Sequence, residues 1–294
     1  MYKILIINFL ILFFISLSLS AQISGVVKDS ITGQPIPYVN IWAEDETIGT
    51  ISEIDGSFSL EIKEEKVLVF SALGYEIKKM SSKNEIILLT PKAFELNEVV
   101  IERPQFKKEI EIGEKLQKKA IRISDKIGNL KALYFPFRES YIKSRFIKKA
   151  KVFTQSQIVN AKFKLRVLSV NSKGFPDADL IEEEIIVTVK KGRNENVINF
   201  EKYNLVFPEN GVFIVFETLF LDTNKSQTSF ANQKTKAITY EPGLSYNFVE
   251  EENSFVFTAI GWYKFPRQPK GQKGYFKIYD NKVFEPAINL ILTD

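Results

Sequence analysis

Apolar and polar residues alternate along much of this chain. Val39-Asn40-Ile41, Phe58-Ser59-Leu60-Glu61-Ile62 and Phe163-Lys164-Leu165-Arg166-Val167 each set apolar side chains on one side of an extended segment and polar ones on the other. That period of two predicts strands with one face in a core and one in water. Val, Ile, Phe and Tyr dominate these runs, as strands prefer. Turn chemistry separates them at Thr32-Gly33-Gln34-Pro35, Asp55-Gly56, Ala72-Leu73-Gly74, Lys173-Gly174-Phe175-Pro176, Glu209-Asn210-Gly211 and Glu241-Pro242-Gly243. The rhythm predicts antiparallel sandwiches and an all-β fold. One segment reads two ways. In residues 109–126, Ile112, Leu116, Ala120 and Ile123 have helical spacing, whereas Glu109-Ile110-Glu111-Ile112 alternates. Gly113 opposes a helix through the whole segment, so a strand or a short helix is expected.

A boundary is expected near residues 101–106, where a strand-like Asn-Glu-Val-Val-Ile run ends at Arg103-Pro104. Charge changes sign there. Residues 22–103 hold 8 Lys/Arg against 14 Asp/Glu, and residues 104–151 hold 14 against 5. The expected organisation is a signal peptide over 1–21, a first β-sandwich over 22–103 and a second, jelly-roll-like one over 104–294. The N-terminus carries Lys3, an apolar run from Ile4 to Ile15, and Leu19-Ser20-Ala21 before Gln22. This has the form of a cleaved secretory signal, with an uncleaved anchor as the alternative. No transmembrane span is expected after cleavage.

Composition narrows the chemistry further. The 294 residues contain no Cys and no His. Disulfides, thiolate nucleophiles, His-ligated metals and Ser-His-Asp triads are thereby excluded. No cofactor signature is present. A basic block on an exported protein points away from nucleic acid and towards anionic surface polymer, with a solvated face as the plainer reading.

The first part of the chain has a recognisable set of motifs. Gly25-Val26-Val27-x-Asp29-x-x-Thr32-Gly33-x-Pro35-Ile36-x-x-Val39-x-Ile41 is followed by Gly49-Thr50-x-Ser52-x-x-Asp55-Gly56-x-Phe58-x-Leu60, then Ser71-x-x-Gly74-Tyr75 and Leu96-x-Glu98-Val99-Val100. This resembles the carboxypeptidase regulatory-like domain of exported Bacteroidota proteins. The resemblance implies a seven-stranded, transthyretin-like (immunoglobulin-like) sandwich. The residues fit it: Asp29 and Thr32 can bind turn backbone, Gly33 can take positive φ, and Asp55-Gly56 suits a hairpin turn. A metallocarboxypeptidase catalytic domain binds zinc through His and Glu, so the missing His argues against peptidase activity. The same module precedes TonB-dependent receptors, where a Leu-x-Glu-Val-Val ending leads into the plug. The expectation is a receptor-like N-terminus without its receptor. The β-rich remainder resembles a segment that follows this module in other Bacteroidota proteins, with no activity implied.

Candidate chemistry lies after residue 104. The stretch Gly-Trp-Tyr-Lys-Phe-Pro-Arg-Gln-Pro-Lys-Gly-Gln-Lys-Gly-Tyr-Phe-Lys (261–277) interleaves aromatic and basic residues. Trp262, Tyr263 and Phe265 could stack on sugars while Arg267, Lys270 and Lys273 hold carboxylates or sulfates. The alternative is that the aromatics pack a core and the lysines solvate a loop. Glu182-Glu183-Glu184 and Glu250-Glu251-Glu252 are candidate carboxylates for glycoside hydrolysis, or solvated strand ends, since neighbours on a strand face opposite ways. Asp177 and Asp179 faintly resemble a calcium loop but read better as turn residues. The leading expectation is a non-catalytic exported protein of the periplasm or outer membrane, acting as accessory, scaffold or glycan-contacting module. The alternatives are a carboxylate-dependent carbohydrate hydrolase and a partner of TonB-dependent transport. The expected partners are an anionic glycan or an outer-membrane protein.

Overall fold

The computed structural model describes residues 22–44, 46, 48–62, 64–92, 107–125, 130–229, 236–258 and 261–294. The signal segment, the Leu-x-Glu-Val-Val ending and the boundary at 101–106 lie outside them. The regular elements among the described residues are strands apart from four short 3-10 helices, as the alternation predicts. No helix among them is long and apolar enough to cross a membrane.

The first sandwich contains β1 (Gln22–Asp29), β2 (Asn40–Ala43), β3 (Gly49–Ile51), β4 (Ser57–Glu61), β5 (Val67–Ser71), β6 (Lys78–Ser81) and β7 (Ile86–Leu89). They form two sheets, ordered β4-β1-β7 and β3-β2-β5-β6. Val27, Ile41, Phe58, Leu60, Phe70 and Ile87 fill the space between. Two details depart from the expectation. β1 and β7 pair in parallel, residues 26–29 against 86–89. The Asp55-Gly56 turn is no hairpin, because β3 and β4 belong to different sheets. The chain changes sheet there so that Phe58 and Leu60 face the core already walled by β2 and β5.

The first turn matches its sequence closely. Asp29 Oδ1 accepts from the backbone N–H groups of Ile31 (2.7 Å) and Thr32 (2.8 Å). Thr32 Oγ1 accepts from Gln34 N, and Gly33 takes φ +69°. The Tyr75 hydroxyl donates to Asp29 Oδ2 at 2.8 Å. These bonds, that from Thr32 foremost, hold the Asp29 carboxyl below its ordinary value. A depressed pKa contributes stability above the unfolded-state value, lost as pH falls through the folded one. Asp29→Asn is therefore expected to flatten the acid limb of a melting-temperature profile, a change readable by circular dichroism. An unchanged limb would remove Asp29 from the acid transition.

The second sandwich contains β8 (Glu109–Ile112), β9 (Ile121–Asp125), β10 (Leu130–Phe135), β11 (Phe146–Ser156), β12 (Ala161–Val170), β13 (Pro176–Asp179), β14 (Ile185–Val189), β15 (Gly192–Asn199), β16 (Val212–Thr218), β17 (Lys225–Ser229), β18 (Lys236–Val249), β19 (Ser254–Thr258), β20 (Gly261–Lys264), β21 (Val283–Pro286) and β22 (Ile288–Thr293). The ambiguous 109–126 segment thus supplies two strands. One sheet runs β13-β12-β16-β10-β19-β20 with β14 added on β12. The other runs β17-β18-β11-β22-β8, with β15, β21 and β9 attached. Leu133, Phe163, Phe216, Tyr246 and Leu290 lie in the core between them.

A third core joins the two sandwiches. Trp42 and Val69, on the outward face of the β2-β5 pair, meet Leu130, Phe213, Phe220, Tyr240 and Phe255. Trp42 stacks on Phe220 with centroids 6.1 Å apart. Gly49 admits that ring, since an added Cβ would lie 2.4 Å from it. The molecule is consequently four sheets in series, and the sheet containing β16 is covered on both faces.

This corrects the reading of the alternating strands. Asn40 is 1% exposed, Lys164 1% and Arg166 5%. Asn40 and Arg166 meet the other sandwich instead of water, and Lys164 meets Glu184. Arg166 grips Asp179 through two bonds of 2.8 and 2.6 Å, and donates to Ser71 Oγ of the first sandwich at 3.2 Å. Gly74 N reaches Asp179 Oδ2 at 3.2 Å. Asn40 donates to Glu217 Oε1 (3.2 Å) and to the Thr218 carbonyl (2.9 Å). Lys131 pairs with Asp125, whose carboxylate also accepts from the Thr218 hydroxyl.

Candidate functional site

The aromatic-basic stretch forms β20 and the loop after it. Strand alternation sends its aromatics to opposite sides. Trp262 is half-buried and packs edge-on against Phe257, at the margin of the third core. Phe265 lies against Tyr246 and Phe284, towards the other sheet. Tyr263 is half-buried between them in the strand. The three therefore form no common platform. Lys270 and Lys273 are exposed.

Arg267 faces inward and organises the neighbouring hairpin. It donates to the carbonyls of Glu250 and Asn281, each at 2.7 Å, and to Glu252 Oε1 at 2.9 Å. Lys282 also holds Glu250. Glu250 and Glu252 are thus tied to cations, and Glu251, between them, lines a cleft instead. The other acid triplet is similarly occupied. Glu183 pairs with Lys202, and Glu184 with the buried Lys164 at 2.7 Å. Glu184 is therefore no solvated strand end. Asp177 pairs with Lys92 at 2.7 Å, so it and Asp179 sit in a strand and bind cationic side chains.

The cleft is lined from both sheets of the second sandwich and has a volume of about 320 Å³. Leu133, Phe135 and Pro136 contribute apolar walls, and Tyr134 and Tyr141 add aromatic rings. Glu114, Glu251 and Glu285 converge on it. Glu111 also lines it but bonds Lys151 at 2.8 Å. Glu285, on β21, is 5% exposed. Burial, then the charges of Glu114 and Glu251, push its carboxyl up to about 7.

The sign of this shift is opposite to that at Asp29. The unfolded chain ionises Glu285 near the ordinary carboxylate value, and the folded chain resists ionisation until about pH 7. The residue therefore destabilises the fold increasingly between those values, and by a constant amount above them. Glu285→Gln is expected to add up to about 3 kcal/mol at pH 8 and almost nothing at pH 4.5. Urea titrations at the two pH values measure the difference. Equal effects at both would refute the burial of this charge.

Sequence reading missed Glu285. It stands alone in Val-Phe-Glu-Pro-Ala-Ile-Asn-Leu-Ile-Leu, a run that reads as a final core strand. A solitary carboxylate in such a run was the available signal.

Comparison with known proteins bears on the first sandwich. The TonB-dependent receptor SusC of Bacteroides thetaiotaomicron is 33% identical over 92 residues, which cover 30% of this chain and 9% of the receptor. TonB-dependent receptor P3 of Formosa agariphila is 33% identical over 100 residues, covering 32% of this chain and 10% of the receptor. The likeness thus spans about a tenth of those receptors. Among solved structures, the cysteine protease and lectin-like domains of Cwp84, a surface layer associated protein of Clostridium difficile, overlap 87% of this chain and 57% of that one. At 10% identity and a TM-score of 0.34, that overlap carries no argument. A family model matches residues 23–101, the span that holds the first sandwich: this segment is a CarboxypepD_reg-like domain.

Proposed function

We propose that the protein is an exported component of the cell envelope that acts by contact, as an accessory or scaffold module beside a TonB-dependent receptor of the outer membrane. The observation that carries this reading is the CarboxypepD_reg-like domain, a module that two TonB-dependent receptors share with this chain. Its distinctive residues are consumed in building the fold. Asp29, Thr32 and Tyr75 close a turn, and Trp42 and Asn40 seal an interface. The surface left for a partner is therefore sought on the second sandwich.

The loop after β20 is our candidate for contact with an anionic glycan or protein. Trp262, Tyr263, Phe265 and Arg267 fix its shape, while Lys270 and Lys273 meet the partner. The competing reading, a carbohydrate-active hydrolase, draws little support from the acid triplets, because Glu183, Glu184, Glu250 and Glu252 are held by cations. The test is affinity purification of the protein from envelope extracts. Co-recovery of a TonB-dependent receptor, diminished by Lys270→Glu with Lys273→Glu, is the expected result. Recovery of free protein alone would overturn the partnership.

A further inference from the structure

Six acidic residues are buried among the described residues: Asp29, Asp125, Asp179, Glu217, Glu241 and Glu285. Five have partners within the chain. Asp29 has its turn and Tyr75, Asp125 has Lys131, Asp179 has Arg166, Glu217 has Asn40, and Glu241 has Arg122. Glu285 alone has neither a hydrogen bond nor an ion pair among the described residues, and it faces an open cleft. Burying a carboxylate without a partner is costly, and each of the other five buried acidic residues among the described ones has a partner.

We infer that the cleft binds an organic cation, an alkylammonium group, with Glu285 as the buried anchor and Glu114 and Glu251 at the mouth. The surroundings select this chemistry. Two further carboxylates make the cleft attractive to positive charge, and the rings of Tyr134 and Tyr141 can face a cation. Leu133 and Phe135 suit the methylene chain behind the charge. A metal ion fits less well, since no group of acidic residues among the described ones is arranged to hold one. Arg138 is the cationic group on the rim and is exposed. The inference does not rest on the receptor partnership or on Lys270 and Lys273.

Protonation gives the binding a signature. Glu285 must ionise to hold the cation, and neighbouring Glu114 and Glu251 oppose that ionisation until the cation arrives. Affinity therefore rises as pH passes through neutrality, by about tenfold between pH 6 and pH 8. The experiment is calorimetric titration of the full chain with cadaverine at those two pH values, at low salt. A parallel arm uses a terminally blocked lysyl peptide, so that a free amine is distinguished from a protein side chain. Tighter binding of either probe at pH 8 than at pH 6, with proton release on binding at pH 6, supports the site. Glu285→Gln is expected to weaken binding at least fivefold at pH 8 and to abolish its pH dependence. Glu251→Gln, at an exposed position, should weaken binding and retain that dependence. Absence of binding by both probes overturns the inference. So does an unchanged pH dependence in Glu285→Gln, or calcium binding at Glu285 without amine binding.

Discussion

Asp179→Ala is expected to destabilise the protein by about 3–5 kcal/mol, the usual cost of stranding one member of a buried ion pair. Arg166 and Asp179 are both almost fully enclosed, and their two bonds are short. Removal of the carboxylate leaves Arg166 with Glu217 at 3.6 Å and the Ser71 hydroxyl at 3.2 Å. Neither replaces a bidentate partner. The same substitution removes the acceptor for Gly74 N, so the first sandwich loses an anchor as well. Equilibrium urea unfolding measures the loss. Replacing both partners with apolar residues, Arg166→Met with Asp179→Leu, should recover most of it, because the cost lies in the unpaired charge. A loss below about 1 kcal/mol for Asp179→Ala would place Arg166 in water and contradict the described interface.

Trp42→Ala is expected to cost about 3–5 kcal/mol, as large aromatic deletions in close-packed cores do. Its side chain is 3% exposed and spans the gap between the sandwiches. The stacked Phe220 is itself fixed by Tyr240, with centroids 4.5 Å apart, and by the absence of a side chain at Gly49. Neither neighbour is free to collapse into the space. Urea unfolding followed by tryptophan fluorescence loses one of two reporters in this variant, so circular dichroism is the better signal. A small loss would mean that the first sandwich is only loosely apposed. Asp179 and Trp42 act on one interface, and their combined effect should fall short of the sum.

Much of the architecture was legible because strand alternation and turn residues act locally. Asp29, Thr32 and Gly33 declare their turn within five positions, and Phe58 and Leu60 declare an inward face. The interface between sandwiches was not legible for a physical reason. Its polar residues Asn40 and Arg166 alternate with apolar ones as they would on a wet surface. Only pairing across chain-distant segments distinguishes the two cases. One local signal was present: the unbroken apolar run of β16, Val-Phe-Ile-Val-Phe, demands cover on both faces.

The lysine loop and the cleft show the same limit. Aromatics at 262, 263 and 265 form a cluster in sequence, yet a strand turns neighbours to opposite sides. Arg267 clamps the Glu250–Glu252 turn through bonds assembled from residues on three segments. Glu285 gained meaning from Glu114 and Glu251, which lie far from it in the chain. Spacing along a sequence carries no record of such meetings.

The central claim is that the CarboxypepD_reg-like domain is welded to the second sandwich through a shared core, so that it works as part of one body. Differential scanning calorimetry of the full chain tests this directly. One transition is expected, with calorimetric and van't Hoff enthalpies in agreement. Two separated transitions, one of them insensitive to Trp42→Ala, would contradict it.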